Sequence, residues 1–207
     1  MRNLIKTLIV ITALLFGNAA CSAEVGKDYK LLNPAQPTST KKIEVLEFFF
    51  YECSHCYHLH PLLAAWEKTM PKDVEITYVP TIFRDSTTPL ALTYYALESM
   101  GKIKQLDDAI YQGIHVQNAE LYDLDSIASF VAKQGVDRAK FTAAYNSFAM
   151  QSKVVRAKQM IRSYGISGTP TLVVDGKYVI TGLLPADAIR VLDEVIALAR
   201  KEHSKKK

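Results

Sequence analysis

The spacing of hydrophobic positions changes several times along this chain, and each change predicts an element. Ile43 to Tyr51 reads Ile-Glu-Val-Leu-Glu-Phe-Phe-Phe-Tyr, a nearly continuous apolar and aromatic run between Lys42 and Glu52. That suits a strand buried on both faces. From Cys53 the period becomes helical. Leu59, Leu62, Leu63, Trp66 and Met70 form one apolar stripe. Pro61 inside it predicts a kink, because proline cannot donate to the Tyr57 carbonyl. Val74 to Val79 predicts a second strand. Helical signals then dominate from Thr87 to Gly165, with one stripe at Ile103, Leu106, Ile110 and Ile114 and another at Leu124, Ile127, Ala128 and Val131, stopped by Gly135. Asp137 is placed as an N-cap. It opens a helix expected to carry Phe141, Tyr145 and Phe148, before a long helix with Val154, Val155 and Ile161 inward. Strands return at Leu172–Val174 and Tyr178–Ile180, flanking Asp175-Gly176-Lys177, a hairpin signal. Pro185 opens a last helix with Ile189, Leu192, Val195, Ile196 and Ala199 inward. The order predicts an α/β fold: a small mixed sheet with an all-helical insertion.

The first residues follow a different logic. Arg2 and Lys6 precede the apolar run Leu8–Phe16, and small residues Gly17, Ala19, Ala20, Ser22 and Ala23 follow. This is the layout of a secretory signal peptide, too short to span a bilayer comfortably. Cleavage is expected after Ala23. Ala19-Ala20-Cys21 also resembles a lipoprotein signal, but Asn18 stands where that pattern has Leu, so a soluble product is favoured over lipidation at Cys21. Residues 24–42, polar and carrying Pro34 and Pro37, read as an extended lead-in.

Composition narrows the classes. The 207 residues are 49% hydrophobic and 22% charged, which excludes disordered, collagen-like and disulfide-dense chains. A formal charge of +4, falling to +2 once Arg2 and Lys6 are removed, is too small and scattered to argue for nucleic acid. Of three cysteines, export would leave Cys53 and Cys56. A disulfide closing so short a loop removes little chain entropy, so the pair points to chemistry rather than to stapling.

Cys53-Ser54-His55-Cys56 stands where a buried strand gives way to a helix. Unpaired amides and the positive end of the dipole favour a thiolate there, so Cys53 should ionise well below a free thiol. His55, by its imidazole or its backbone N–H, can add to this. Cys53, coming first, should be the exposed attacking thiol, and Cys56 the resolving one. Two alternatives stand beside this reading: half of a zinc site built from Cys56, His58 and His60 with Cys53, although His58 and Cys56 point to different faces, or an inert structural disulfide.

Phe50-Tyr51-Glu52-Cys53-Ser54-His55-Cys56-Tyr57, together with Gly168-Thr169-Pro170-Thr171, resembles the thioredoxin superfamily. The helical block between the second strand and Gly165 narrows the resemblance to the DsbA family of bacterial periplasmic thiol:disulfide oxidoreductases. The likeness covers Ile43 to the C-terminus, nearly all of the mature chain. It departs at Ser54, where many members have Pro or Val, which bears on the redox potential. The resemblance implies a thioredoxin-like fold with an inserted helical domain: 1–23 signal peptide, 24–42 lead-in, 43–86 and 151–207 thioredoxin-like, 87–150 inserted. It implies catalysis by Cys53 and Cys56, tuned by Ser54, His55 and Glu47. Glu47 in this family lies beneath the active site and helps proton transfer with the buried Cys; the bland reading is a solvated edge residue. It implies a cis Thr169–Pro170 bond facing the cysteines and offering backbone groups to a substrate peptide. Reduced secreted proteins are the implied substrates and a DsbB-like membrane quinone reductase the implied reoxidant, with no bound cofactor or metal, a monomeric state and a periplasmic location. A reductase or isomerase of the same superfamily, or a zinc- or peptide-binding chaperone module, are the rival functions. Phe48 to Tyr51 and Trp66 read as core, His115 as surface, His203 as tail.

Overall fold

The computed structural model describes residues 22–205. Cys21 and nearly all of the expected signal segment lie outside the described residues. Ala23, where that segment would end, is buried, and its amide donates to the Glu194 carboxylate.

A five-stranded sheet forms the centre. In chain order the strands are β1 (Lys30–Leu31), β2 (Ile43–Phe49), β3 (Val74–Pro80), β4 (Thr171–Val174) and β5 (Tyr178–Thr181), arranged β1-β5-β4-β2-β3. β2 runs parallel to β3 and antiparallel to β4. All seven residues of β2 are buried, as its uninterrupted apolar run requires of a central strand covered on both faces.

Helix α1 (Ser54–Glu67) follows β2, and α7 (Pro185–Lys205) follows β5. Their apolar stripes cover one face of the sheet: Leu59, Leu63 and Trp66 from α1 and Val191, Leu192, Val195 and Ile196 from α7 meet Ile43, Val45, Leu172 and Val174. Trp66 also donates to Asp193 Oδ1 at 2.8 Å, joining the two helices. Between β3 and β4 come α2 (Thr88–Ser99), α3 (Ile103–His115), α4 (Leu124–Lys133), α5 (Arg138–Tyr145) and α6 (Phe148–Ser163). Their core is continuous with the other face of the sheet, where Leu46, Phe48 and Val173 lie with Ala157, Ile161 and Tyr164. Among the described residues, no helix is long and apolar enough to cross a membrane.

Several expectations meet their elements, among them the Asp137 cap of α5, which accepts from the Lys140 amide. The Asp175-Gly176 turn has both residues at positive φ and closes with Lys177 N–H on the Val174 carbonyl at 3.0 Å.

Others need correction. Residues 24–42 are more than a lead-in: they hold β1, which adds an edge strand to β5. Phe148 does not continue α5; Ser147 caps a new helix there, and Phe148, its first residue, is 87% exposed. Val155 and Leu62 are also exposed, because their helices present only one side to the core. α2 has no periodic signal, since Leu90 to Leu97 are all buried and a helix covered all round shows no polar face.

Candidate active site

The end of β2 delivers the chain into a turn at Phe50–Glu52 that starts α1 at a fixed place. Cys53 N–H donates to the Phe50 carbonyl at 3.0 Å. Cys53 is extended (φ −80°, ψ 115°) and is itself the N-cap of α1, its sulfur standing where a Ser or Asp oxygen usually stands. Cys53 Sγ accepts from the Cys56 amide at 3.4 Å. It also lies 3.4 Å from the Thr169 carbonyl, to which the thiol donates. Both cysteines are free thiols. Cys53 keeps 9% of its surface and Cys56 none.

Electrostatics separate the two sulfurs. A hydrogen bond from Cys56 lowers the Cys53 pKa most; burial opposes it, and the Thr169 side chain with the Cys56 and His55 amides lowers it further, to about 5. Burial raises the Cys56 thiol far above the ordinary range, and its role as donor to Cys53 adds to this. One sulfur is therefore held ready as a thiolate and the other as a thiol. Ser54 and His55 are both exposed, and His55 acts on Cys53 through its backbone amide.

Glu47 lies in the middle of β2, between Tyr78 of β3 and Leu172 of β4, and is 3% exposed. It is not an edge residue. Burial first, then the charges of Asp107, Glu67 and Cys53, push its carboxyl up to about 8. The Thr169–Pro170 bond is cis, and Thr169 faces Cys53 as described.

Two residues of α3 also meet this turn. His115, at the end of α3, is half-buried rather than on the surface. Its Nε2 donates to the Tyr51 carbonyl at 2.7 Å, and its ring stacks on Tyr57 at 4.7 Å. Asp107 of α3 accepts the Tyr51 hydroxyl at 2.5 Å. The one sequence signal for it is an acid at helical spacing within the apolar stripe, four residues from both Ile103 and Tyr111.

Known proteins resemble this chain over most of its length. A family model described as DSBA-like thioredoxin domain matches residues 71–197. The thiol:disulfide interchange protein DsbA of Burkholderia cepacia is 37% identical over 205 residues, covering 95% of this chain and 96% of that protein.

The chain belongs to the DsbA family.

The DsbA of Pseudomonas aeruginosa is 38% identical over 181 residues, covering 86% of each chain. Its crystal structure superposes with a TM-score of 0.84 at 33% identity, covering 91% of this chain and 99% of that one. DsbA from Xylella fastidiosa gives a TM-score of 0.81 at 32% identity, over 86% of this chain and 98% of that one. The fold is thus the DsbA-like thioredoxin fold, a mixed sheet with helices inserted between β3 and β4.

Proposed function

We propose that this DsbA-family protein, a thiol:disulfide oxidoreductase, works through Cys53 and Cys56 and donates their disulfide to reduced secreted proteins. The observation that carries the reading is the position of Cys53 Sγ: at the N-cap of α1, within 3.4 Å of the Cys56 amide, and beside a sulfur buried completely. A thiolate so stabilised favours the dithiol over the disulfide, and a protein with that preference passes its disulfide on. DsbA proteins are the standing example of this rule.

In the oxidised form a substrate thiolate attacks Cys53 Sγ. The Cys53–Cys56 bond breaks, and Cys56 leaves with the electron pair. Its high proton affinity requires a donor, and that role falls to Glu47, the buried acid of β2 whose charge acts on Cys56. A second substrate thiolate then attacks the substrate sulfur of the mixed disulfide, and Cys53 leaves as a thiolate without needing a proton. The substrate gains a disulfide, and the enzyme keeps two electrons. Thr169, whose carbonyl lies 3.4 Å from Cys53 Sγ, and Pro170 are the backbone station for an extended substrate segment.

Reoxidation falls to a DsbB-like membrane quinone reductase. Residues 1–23 serve as a cleaved export signal, which puts the enzyme in the periplasm. Residues 43–86 and 151–207 are the thioredoxin-like part and 87–150 the insertion. The mature N-terminus tests the location: mass spectrometry should find Glu24 first, and a lipidated Cys21 would replace a soluble enzyme with an anchored one.

The deciding experiment titrates thiolate absorbance in the reduced protein and in Cys53→Ser. One thiolate should appear with a midpoint near 5 and vanish in the variant, and the variant should lose oxidase activity. A midpoint near the ordinary thiol range overturns the reading.

A further inference from the structure

One helix of the insertion grips the chain on both sides of the cysteine pair. Tyr51, two residues before Cys53, is held by α3 at two points. Its hydroxyl donates to Asp107 Oδ1 at 2.5 Å, and its carbonyl accepts from His115 Nε2 at 2.7 Å. Asp107 Oδ2 also stands 3.6 Å from His60 Nδ1 of α1. Tyr57, the residue after Cys56, is the contact on the other side. Its ring stacks on the His115 imidazole, with centroids 4.7 Å apart and planes 13° from parallel. Tyr57 N–H in turn donates to the Cys53 carbonyl at 3.0 Å. α3 is itself seated on α4, where the Phe130 ring lies so near Gly113 that an added Cβ would stand 2.7 Å from it.

The His115 contact is the consequential one. A carbonyl oxygen only accepts, so Nε2 carries the proton. Tyr51 is 1% exposed, and among the described residues no backbone N–H reaches its carbonyl. Removing the imidazole therefore leaves a buried acceptor without a partner, unless the Tyr51–Glu52 peptide turns toward water. That peptide lies inside the turn that Cys53 N–H closes on the Phe50 carbonyl at 3.0 Å. The same turn leads into the extended conformation in which Cys53 caps α1. Cys53 Sγ and the Cys56 amide nitrogen are 3.4 Å apart, and a small rotation at Cys53 opens that contact.

We propose that His115 is a positioning residue of the dithiol: its bond to the Tyr51 carbonyl holds the turn in which Cys53 Sγ meets the Cys56 amide, and so makes the protein a stronger oxidant. This rests on the reading of Cys53 as a stabilised thiolate given above. In the equilibrium at issue, reduced protein and glutathione disulfide give oxidised protein and two molecules of glutathione thiol. Two electrons pass from the Cys53–Cys56 dithiol to the glutathione disulfide. A less stabilised Cys53 thiolate disfavours the reduced protein and draws this equilibrium toward the protein disulfide. His115 acts through the backbone of the turn, so its loss should move the thiolate midpoint and the exchange equilibrium by the same factor.

The test compares the whole protein with two variants. His115→Phe keeps a ring against Tyr57 and removes the donor. His115→Gln removes the ring and keeps a side-chain amide able to reach the carbonyl. In His115→Phe the Cys53 thiolate midpoint, read by absorbance, should rise by about one pH unit. The equilibrium with glutathione at pH 7 should shift about tenfold toward the protein disulfide, since one unit is tenfold in an equilibrium. His115→Gln should restore most of both. His115→Ala takes the place of the Phe variant if that one does not fold. A His115→Phe midpoint equal to the parent's overturns the proposal. So does an equal shift in the Phe and Gln variants, which assigns the effect to the ring, and so does a moved midpoint with an unmoved glutathione equilibrium. An ordinary thiol midpoint in the parent protein is a different failure: it removes the reading of Cys53 on which the proposal stands.

Discussion

Glu47 is the residue where the demands of stability and of chemistry separate. Its carboxyl ionises at 4.5 in an exposed setting and at about 8 in the fold, burial being the main cause. A folded state that holds a proton the unfolded chain would release is favoured at low pH. That contribution is lost as pH rises from the first value through the second. Glu47→Gln should therefore leave the melting temperature nearly unchanged around pH 4 and raise it at pH 8 to 9. Calorimetry across that range checks it, and a variant no more stable than the parent at pH 8 refutes it. At neutral pH the same variant should slow thiol exchange by about tenfold or more, as loss of a general acid does. Glu47 could be picked out in the sequence because an acid interrupts an apolar strand. Tyr51, His60 and Asp107 could not be grouped, since they come from a turn and two helices and meet only when α3 packs against α1.

At the scale of elements, the β4–β5 hairpin shows local and tertiary constraints on one residue. Asp175 and Gly176 adopt positive φ of 53° and 65°, as the tight turn between twisted strands requires. Gly176 has a second reason to lack a side chain. An added Cβ would lie 2.0 Å from the Gln36 carbonyl oxygen, while Gln36 N–H donates to the Gly176 carbonyl at 2.9 Å. At Gln36 the segment before β2 is thus fastened to the hairpin through backbone atoms. Gly176→Ala should cost about 2 kcal/mol or more, from strain and displaced chain together. Gly168→Ala, where a Cβ meets nothing within 4 Å, should stay within about 0.5 kcal/mol of the parent. Urea denaturation of the two variants gives the comparison, and equal midpoints would show that the Gln36 contact is dispensable. The turn was legible as Asp-Gly between apolar runs. The contact was not, because Gln36 is remote in sequence and carries no pattern.

For the whole molecule, the Cys53 thiolate couples redox state to stability. A thiol whose pKa is lowered from 9.0 to about 5 contributes stability to the reduced protein above the unfolded value. That contribution is lost as pH falls through the folded one. The oxidised protein has no such group. The reduced form should therefore melt higher than the oxidised form at pH 7, with the gap narrowing steadily toward pH 5. Glu47 is present in both forms, so most of its own pH dependence cancels in the difference. Equal melting temperatures at pH 7 would contradict a strongly oxidising pair.

The sequence by itself determined the elements whose neighbours are local: β2 from its apolar run, α3 and α4 from their stripes, the hairpin from its turn residues, and the cysteine pair from its two-residue spacing at a strand-to-helix junction. Those signals survive because burial of one face, or tightness of one turn, acts on residues close together in the chain. Only the tertiary structure decided what surrounds the sulfurs. Thr169 reaches Cys53 across 116 positions, His115 reaches the Tyr51 carbonyl across 64, and Asp107 reaches the Tyr51 hydroxyl across 56. Proton affinity in a protein depends on burial and on charges within a few ångströms, and the chain brings those groups together only by folding.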